Sequence, residues 1–98
     1  MAYRVVTSTF AKTDRVDIAK YLAQYSVNAP KKFRNELKKY IDILGKTPYI
    51  FSIYHANPEY HHVVIYSNYT MFYTVNDTDQ VVSIYRILHG AQDIANIL

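Results

Sequence analysis

Three β-prone runs lie back to back between Tyr60 and His89, and they constrain what this chain can fold into more than any other stretch. The segment reads YHHVVIYSNYTMFYTVNDTDQVVSIYRILH. β-Branched and aromatic residues dominate the runs, while Ser67-Asn68 and Asn76-Asp77-Thr78-Asp79 interrupt them, the pattern of a three-stranded antiparallel meander. A two-residue loop at Ser67-Asn68 would set Tyr66 against Tyr69, Val64 against Met71, His62 against Tyr73 and Tyr60 against Val75. A second turn over Asn76 to Asp79 would set Val75 against Gln80, Tyr73 against Val82, Met71 against Ile84 and Tyr69 against Arg86.

Side chains alternate across a strand, so this register defines two faces. One collects Tyr60, His62, Val64, Tyr66, Tyr69, Met71, Tyr73, Val75, Val82, Ile84 and Arg86, nearly all apolar in its middle. The other collects His61, Val63, Ile65, Thr70, Phe72, Thr74, Val81, Ser83, Tyr85, Ile87 and His89. The first face is expected to be covered; the second, mixed face is expected to stay open to a partner and to carry the function.

The N-terminal half supplies the cover. Tyr3 to Ser8 is expected to form the first strand, at an edge of the meander or beside its last strand. From about Phe10 to Tyr25, Ile18, Tyr21, Leu22 and Tyr25 recur at i, i+3, i+4 and i+7, one face of a helix that Ser8, Thr9 or Thr13 can cap. Ser26-Val27-Asn28 ends it, Asn28 caps the next helix, and Pro30 falls in the first turn, where its missing N–H costs nothing. Phe33, Leu37, Tyr40, Ile41 and Leu44 form the second apolar stripe. Gly45 is expected in a left-handed C-terminal position, with Pro48 preventing continuation. In the connection from Tyr49 to Glu59, Ile50, Phe51, Ile53 or Tyr54 is expected to pack beneath the loop. The tail after Gly90 offers Ile94, Ile97 and Leu98 as a last helical turn. The result is an α+β fold over residues 1–98, one domain of order β-α-α-β-β-β, in which a helical hairpin packs on one face of a largely antiparallel four-stranded sheet and a short helical tail follows.

Composition narrows the function. A chain of 98 residues buries roughly 60 to 70% of its unfolded surface, enough for one modest core. Without cysteine there is no disulfide framework and no thiolate metal site. No carboxylate stands near His55, His61 and His62 at a convincing metal-ligand spacing, so no metal or other cofactor is expected. No apolar run approaches the ~20 residues of a membrane span and nothing at Met1 resembles a signal peptide, so a soluble cytoplasmic protein is expected. The net charge is only +3, yet Lys31, Lys32, Arg34, Lys38, Lys39 and Lys46 share one helix. Such a face is either simply solvated or attractive to a polyanion or an acidic protein. Among the tyrosines most fall on core stripes, which leaves Tyr85, Tyr49 and Tyr54 for stacking. Arg86 is placed to pair with Asp93 and fix the tail, and Gly90 to take a positive φ in a turn.

The chain resembles the RelE/ParE superfamily of bacterial toxins over nearly its whole length. The residues that carry the resemblance are Ile-x-x-Tyr-Leu at 18–22, Ile-x-x-Leu-Gly-x-x-Pro at 41–48, Ser-Asn-Tyr-x-x-Phe-Tyr-x-Val at 67–75 and Ile-Tyr-Arg-Ile-Leu-His-Gly-Ala-Gln-Asp-Ile at 84–94. The resemblance implies a growth-arresting toxin of a type II toxin-antitoxin module, encoded beside an antitoxin that wraps around it and lies in a groove beside the sheet or over the helix hairpin. It implies either a metal-independent, ribosome-dependent messenger RNA nuclease or a poison of DNA gyrase.

In the RelE-like branch, lysines on the second strand, an arginine directly after the hairpin tyrosine, and basic or aromatic residues near the C-terminus hold and charge-stabilise the scissile phosphate. Here Thr70 occupies the arginine's position, and His61 and Val63 occupy the second-strand positions. His61 and His89 remain as acid/base groups and Tyr85 as a stacking platform, if the protein is a nuclease. Lys31, Lys38, Lys39, Thr70 and Arg86 are expected to contact the partner or target. Thr70 in place of the arginine and the His-Gly-x-x-Asp-Ile ending favour the ParE-like, gyrase-directed branch. A ribosome-dependent nuclease and an inactive module that only binds its antitoxin are the alternatives.

Overall fold

The computed structural model describes residues 2–66, 68–90, 92 and 94–98. Its elements run β1 (Arg4–Thr7), α1 (Thr9–Ala23), α2 (Ala29–Lys46), β2 (His61–Ile65), β3 (Tyr69–Asn76), β4 (Val81–His89) and α3 (Ile94–Ile97). The four strands form one sheet in the order β1-β4-β3-β2. β1 pairs parallel with β4, whereas the other neighbours are antiparallel. A strand, two helices and a return to the same sheet is a crossover, and the parallel pair is what such a crossover leaves behind.

Local chemistry sets the helix boundaries. Ser8 is extended and its hydroxyl accepts the Ala11 N–H at 3.0 Å, closing the start of α1. The same hydroxyl donates to the Tyr85 carbonyl at 2.6 Å, so this cap also ties α1 to β4. Pro30 sits in the first turn of α2 as expected, but the Asn28 side chain makes no capping bond. Instead the Ser26 hydroxyl accepts the Asn28 N–H at 3.3 Å. Gly45 lies inside α2, and no glycine has a positive φ, which corrects the left-handed positions expected for Gly45 and Gly90. Close approach explains Gly45: a Cβ there would lie 3.4 Å from the Tyr3 carbonyl oxygen, and the Tyr3 N–H donates to the Gly45 carbonyl at 2.7 Å.

The core forms between the hairpin and one sheet face. Phe33, Leu37 and Leu44 of α2 and Ala11 and Ile18 of α1 pack on Ile65, Tyr69, Met71, Tyr73, Val82, Ile84 and Ile87. Phe33 is fully buried, edge-on to the rings of Tyr66 and Tyr69. Burying a side chain of this size contributes about 1.5–3 kcal/mol. The α1 stripe is covered only in part, since Tyr21 and Tyr25 are exposed on the far side of Ile18.

Two details of register differ from the alternating pattern. Ile65, not Tyr66, pairs with Tyr69, so three residues rather than two separate β2 from β3. Since the side-chain period of a strand is two, that slip of one turns every β2 side chain over. Val63 and Ile65 therefore face the helices and Val64 faces away. At the second turn Asn76 pairs with Val81, two residues further round than expected, which preserves the faces of Val82 and Ile84. The ladder then shifts between Phe72 and Tyr73, where Tyr85 is the unpaired extra residue. This bulge sends Ile87 and His89 to the helix side and Leu88 to the other.

Tyr73 closes the core towards the α2–β2 connection. It is fully buried and its hydroxyl donates to the Pro48 carbonyl at 3.1 Å. Burial pushes the phenol up to about 12, offset in part by a hydrogen bond from the Phe51 backbone. An unfolded tyrosine loses its proton near pH 10, so the folded chain retains one proton more between about 10 and 12, and stability falls with pH across that window by roughly 3 kcal/mol. Tyr73→Phe is expected to cost about 1 kcal/mol at neutral pH through the lost hydrogen bond. It is also expected to flatten the alkaline decline, measured by urea unfolding at pH 8 and at pH 11.

Candidate functional site

His61, Tyr85 and His89 do not converge. His61 faces the helix side at the start of β2, stacked on Tyr73 with centroids 5.3 Å apart and its Nδ1 3.3 Å from the Phe51 carbonyl oxygen. His89 pairs with Tyr69 at the other end of the sheet, their rings 5.4 Å apart, and its backbone N–H donates to Gln92 Oε1 at 2.7 Å. Tyr69 and Tyr73 are four residues apart along β3, roughly 13 Å at the rise of a strand. Tyr85, at the bulge, stacks on Tyr60 at 5.4 Å and meets the edge of Phe10 at 5.9 Å.

The histidine on the face away from the helices is His62. It lies between Tyr54 and Phe72, with centroids 5.2 and 6.3 Å away, and its Nδ1 is buried without a hydrogen-bond partner. His61 and His62 are adjacent, and which of them reaches this face depends only on the length of one loop. A signal was present: the apolar positions Val82, Ile84 and Ile87 break the two-residue period and announce the bulge, but the run HHVVIY fits either register.

This face is also less open than expected. Residues 49–60 fold back beside it through Tyr54 N–H to Tyr60 O at 2.8 Å and His62 N–H to Ser52 O at 2.9 Å. Tyr54 then covers Phe72 at 5.0 Å, and Phe72 and Leu88 are wholly buried. Thr70 is half-buried between Val64 and Leu88 in the ladder. Tyr49 is not a free platform. With Tyr3 it donates to the Asp77 carboxylate, a pair of bonds that holds Asp77 below the usual carboxylate range and pushes the Tyr49 phenol up to about 12.

Arg86 is engaged. Its Nε and Nη2 donate to the two carboxylate oxygens of Asp14 at 2.7 and 2.8 Å, and its guanidinium carbon lies 5.6 Å from the Phe10 centroid. Asp14 Oδ2 also accepts the Ile87 N–H at 3.0 Å. The hydrogen bonds to the Asp14 carboxylate raise the Arg86 pKa further. Asp93, the partner expected from the sequence, lies outside the described residues, as does Ser67. Among the described residues the bidentate carboxylate is Asp14, 72 residues away on α1.

The lysines expected to contact a partner are exposed on α2, and Lys39 lies over the Tyr40 ring with its Nζ 6.0 Å from the centroid. Lys38 has a more defined setting. Two adjoining hollows of about 440 and 400 Å³ run along the groove between α1 and α2 and share Arg15 and Arg34. Lys38 and Lys20 extend the basic rim, and Leu37, Ile41, Val16 and Ala19 provide the apolar floor. Arg15 was the residue that sequence reading missed. It lies on α1, and only the hairpin brings it beside Arg34. Among the described residues no group of three or more His, Asp or Glu is arranged to hold a metal, and no helix is long and apolar enough to cross a membrane.

A helical hairpin on one face of a four-stranded mixed sheet is the fold of the RelE/ParE toxins. An E. coli RelE variant in the free state superposes with a TM-score of 0.71 at 18% identity, covering 99% of this chain and 93% of that one. The chromosomal ParDE system of P. aeruginosa gives 0.72 at 12%, covering 90% and 96%. The RelBE2 toxin-antitoxin complex of Mycobacterium tuberculosis gives 0.68 at 16%, covering 91% and 99%. At these identities the likeness defines the fold class. Residues 5–94 match the family described as the ParE toxin of the type II toxin-antitoxin system parDE, and the chain belongs to that family. No curated protein matches it.

Proposed function

We propose that this protein is a growth-inhibiting toxin, held inactive by a cognate antitoxin, that acts by binding DNA gyrase and not by cutting RNA. The observation that carries the second half is the engagement of Arg86. A nuclease of this fold needs a cation free to meet a phosphate where charge develops. The arginine nearest to Tyr85 is bidentate to Asp14 and packed on Phe10. Arg4, which pairs with Val81, is four residues up the strand from Tyr85. The surrounding surface is aromatic and tightly packed, which suits protein contact better than a sugar-phosphate chain.

Charge and shape support the interhelical groove as the antitoxin's place. An amphipathic acidic segment would set its apolar side on the floor of the interhelical groove and its carboxylates against Arg15, Arg34 and Lys38. Growth arrest with an induced DNA damage response is expected on expression without the antitoxin. The same arrest is expected from His61→Ala/His89→Ala, because both histidines face the helix side, away from Tyr85. Loss of toxicity in that folded variant, or mapped cuts in ribosome-bound messages, would favour the nuclease.

A further inference from the structure

At the edge of the core, where α1 passes the end of the sheet, lies a pocket of about 290 Å³ lined by Asp17, Ile18, Tyr21, Tyr69, His89 and Gln92. Its charge is opposite to that of the interhelical groove. Among the described residues no lysine or arginine lines it, although the chain carries 11 of them. Among the described residues its one carboxylate is Asp17, which is exposed and makes no salt bridge.

The walls are aromatic. Tyr69 is almost fully buried and sits edge-on to the His89 ring, while Tyr21 projects half-exposed, braced against Tyr25 with centroids 5.1 Å apart. Both phenols titrate above the ordinary value, Tyr21 through its hydrogen bond with Tyr25 and Tyr69 through burial, so both are neutral at pH 7.

Aromatic faces present negative potential, and a carboxylate at the rim adds a full negative charge; both attract a cation. An anion would meet Asp17 directly, and a purely apolar side chain would strip water from that carboxylate without replacing the lost hydrogen bonds. Among cations, a planar guanidinium stacks on rings and donates in a fork to a carboxylate, whereas an ammonium is a strongly hydrated point charge.

We propose that this pocket receives the guanidinium of an arginine side chain presented by a protein partner, stacked against Tyr21 above the buried Tyr69 that closes the base, and hydrogen-bonded to Asp17. The site is independent of the basic groove, which selects for acidic residues, so a partner contacting both would need opposite charges at two separate points. It depends neither on the gyrase reading nor on the antitoxin reading.

The test is a two-dimensional amide spectrum of the ¹⁵N-labelled full chain, titrated with acetyl-Gly-Arg-Gly-amide and with its citrulline counterpart, which has the same shape but no charge. Saturable shifts confined to the neighbourhood of Ile18, Tyr69 and Gln92 are expected with the arginine peptide. Affinity for the citrulline peptide, and that of Asp17→Asn for the arginine peptide, is expected to be about five- to tenfold weaker. Asp17 is exposed, so the remainder of the Asp17→Asn spectrum should be unchanged. Equal binding of the citrulline peptide, undiminished binding by Asp17→Asn, or no shifts with the arginine peptide at tens of millimolar would each overturn the proposal.

Discussion

Asp14→Ala is expected to destabilise the protein by about 3 kcal/mol, a large share of the total for a chain of this size. The carboxylate has three donors: the Nε and Nη2 N–H groups of the Arg86 guanidinium and the Ile87 N–H. Both side chains of the ion pair are largely covered, at 19% and 11% exposure, so water cannot replace the lost acceptor. Removing it strands a charge and a backbone donor immediately after the Tyr85 bulge, where β1 no longer pairs with β4. Asp14→Leu combined with Arg86→Met should recover at least half of the loss, because an apolar pair leaves no unpaired charge. Urea unfolding of the two variants beside the unaltered protein distinguishes the cases. A loss below about 1 kcal/mol for Asp14→Ala would mean that the pair behaves as a solvated surface bridge.

Arg15→Glu with Arg34→Glu is expected to weaken the antitoxin complex by at least about thirtyfold and to reduce the salt dependence of its association rate. These two residues sit where the two hollows of the interhelical groove meet, so reversing them puts like charges opposite the partner along its whole length. Lys38→Glu with Lys39→Glu should have a smaller effect, since Lys39 is set over Tyr40 and only Lys38 lines the groove. Measurement of affinity and association rate at low and at physiological salt checks both. An unchanged affinity for the arginine pair would place the antitoxin on another surface.

The element order was legible because it depends on composition and period. The α2 stripe, Pro30 near its start and the three β runs are local features, and tertiary packing reinforces each of them. The buried faces of β3 and of β4 as far as Ile84 were legible for the same reason, and Met71, Tyr73, Val82 and Ile84 all lie in the core. What failed were features decided by one residue more or less. Tyr66 takes a left-handed backbone with φ of 46°, a conformation that costs a bulky side chain free energy and that would have been expected at Asn68. That choice lengthens the loop and exchanges His61 for His62. Gly45 resembled a helix stop because glycine usually serves there, while its role of admitting the Tyr3 carbonyl depends on the segment leading into β1, far earlier in the chain. The Asp14–Arg86 pair and the Arg15–Arg34 rim are long-range, and no spacing within the sequence encodes them.

The two halves of the chain divide the work. The hairpin carries a basic groove, which the proposed reading gives to an acidic regulator, and the sheet carries a packed aromatic surface whose nearest arginine is tied into the fold. On the proposed reading such a surface acts by contact. The most direct test is to titrate purified, antitoxin-free protein into a supercoiling reaction of DNA gyrase. Supercoiling is expected to fall in proportion to the protein added, with cleaved DNA accumulating, and undiminished supercoiling at saturating protein would contradict a gyrase-binding toxin.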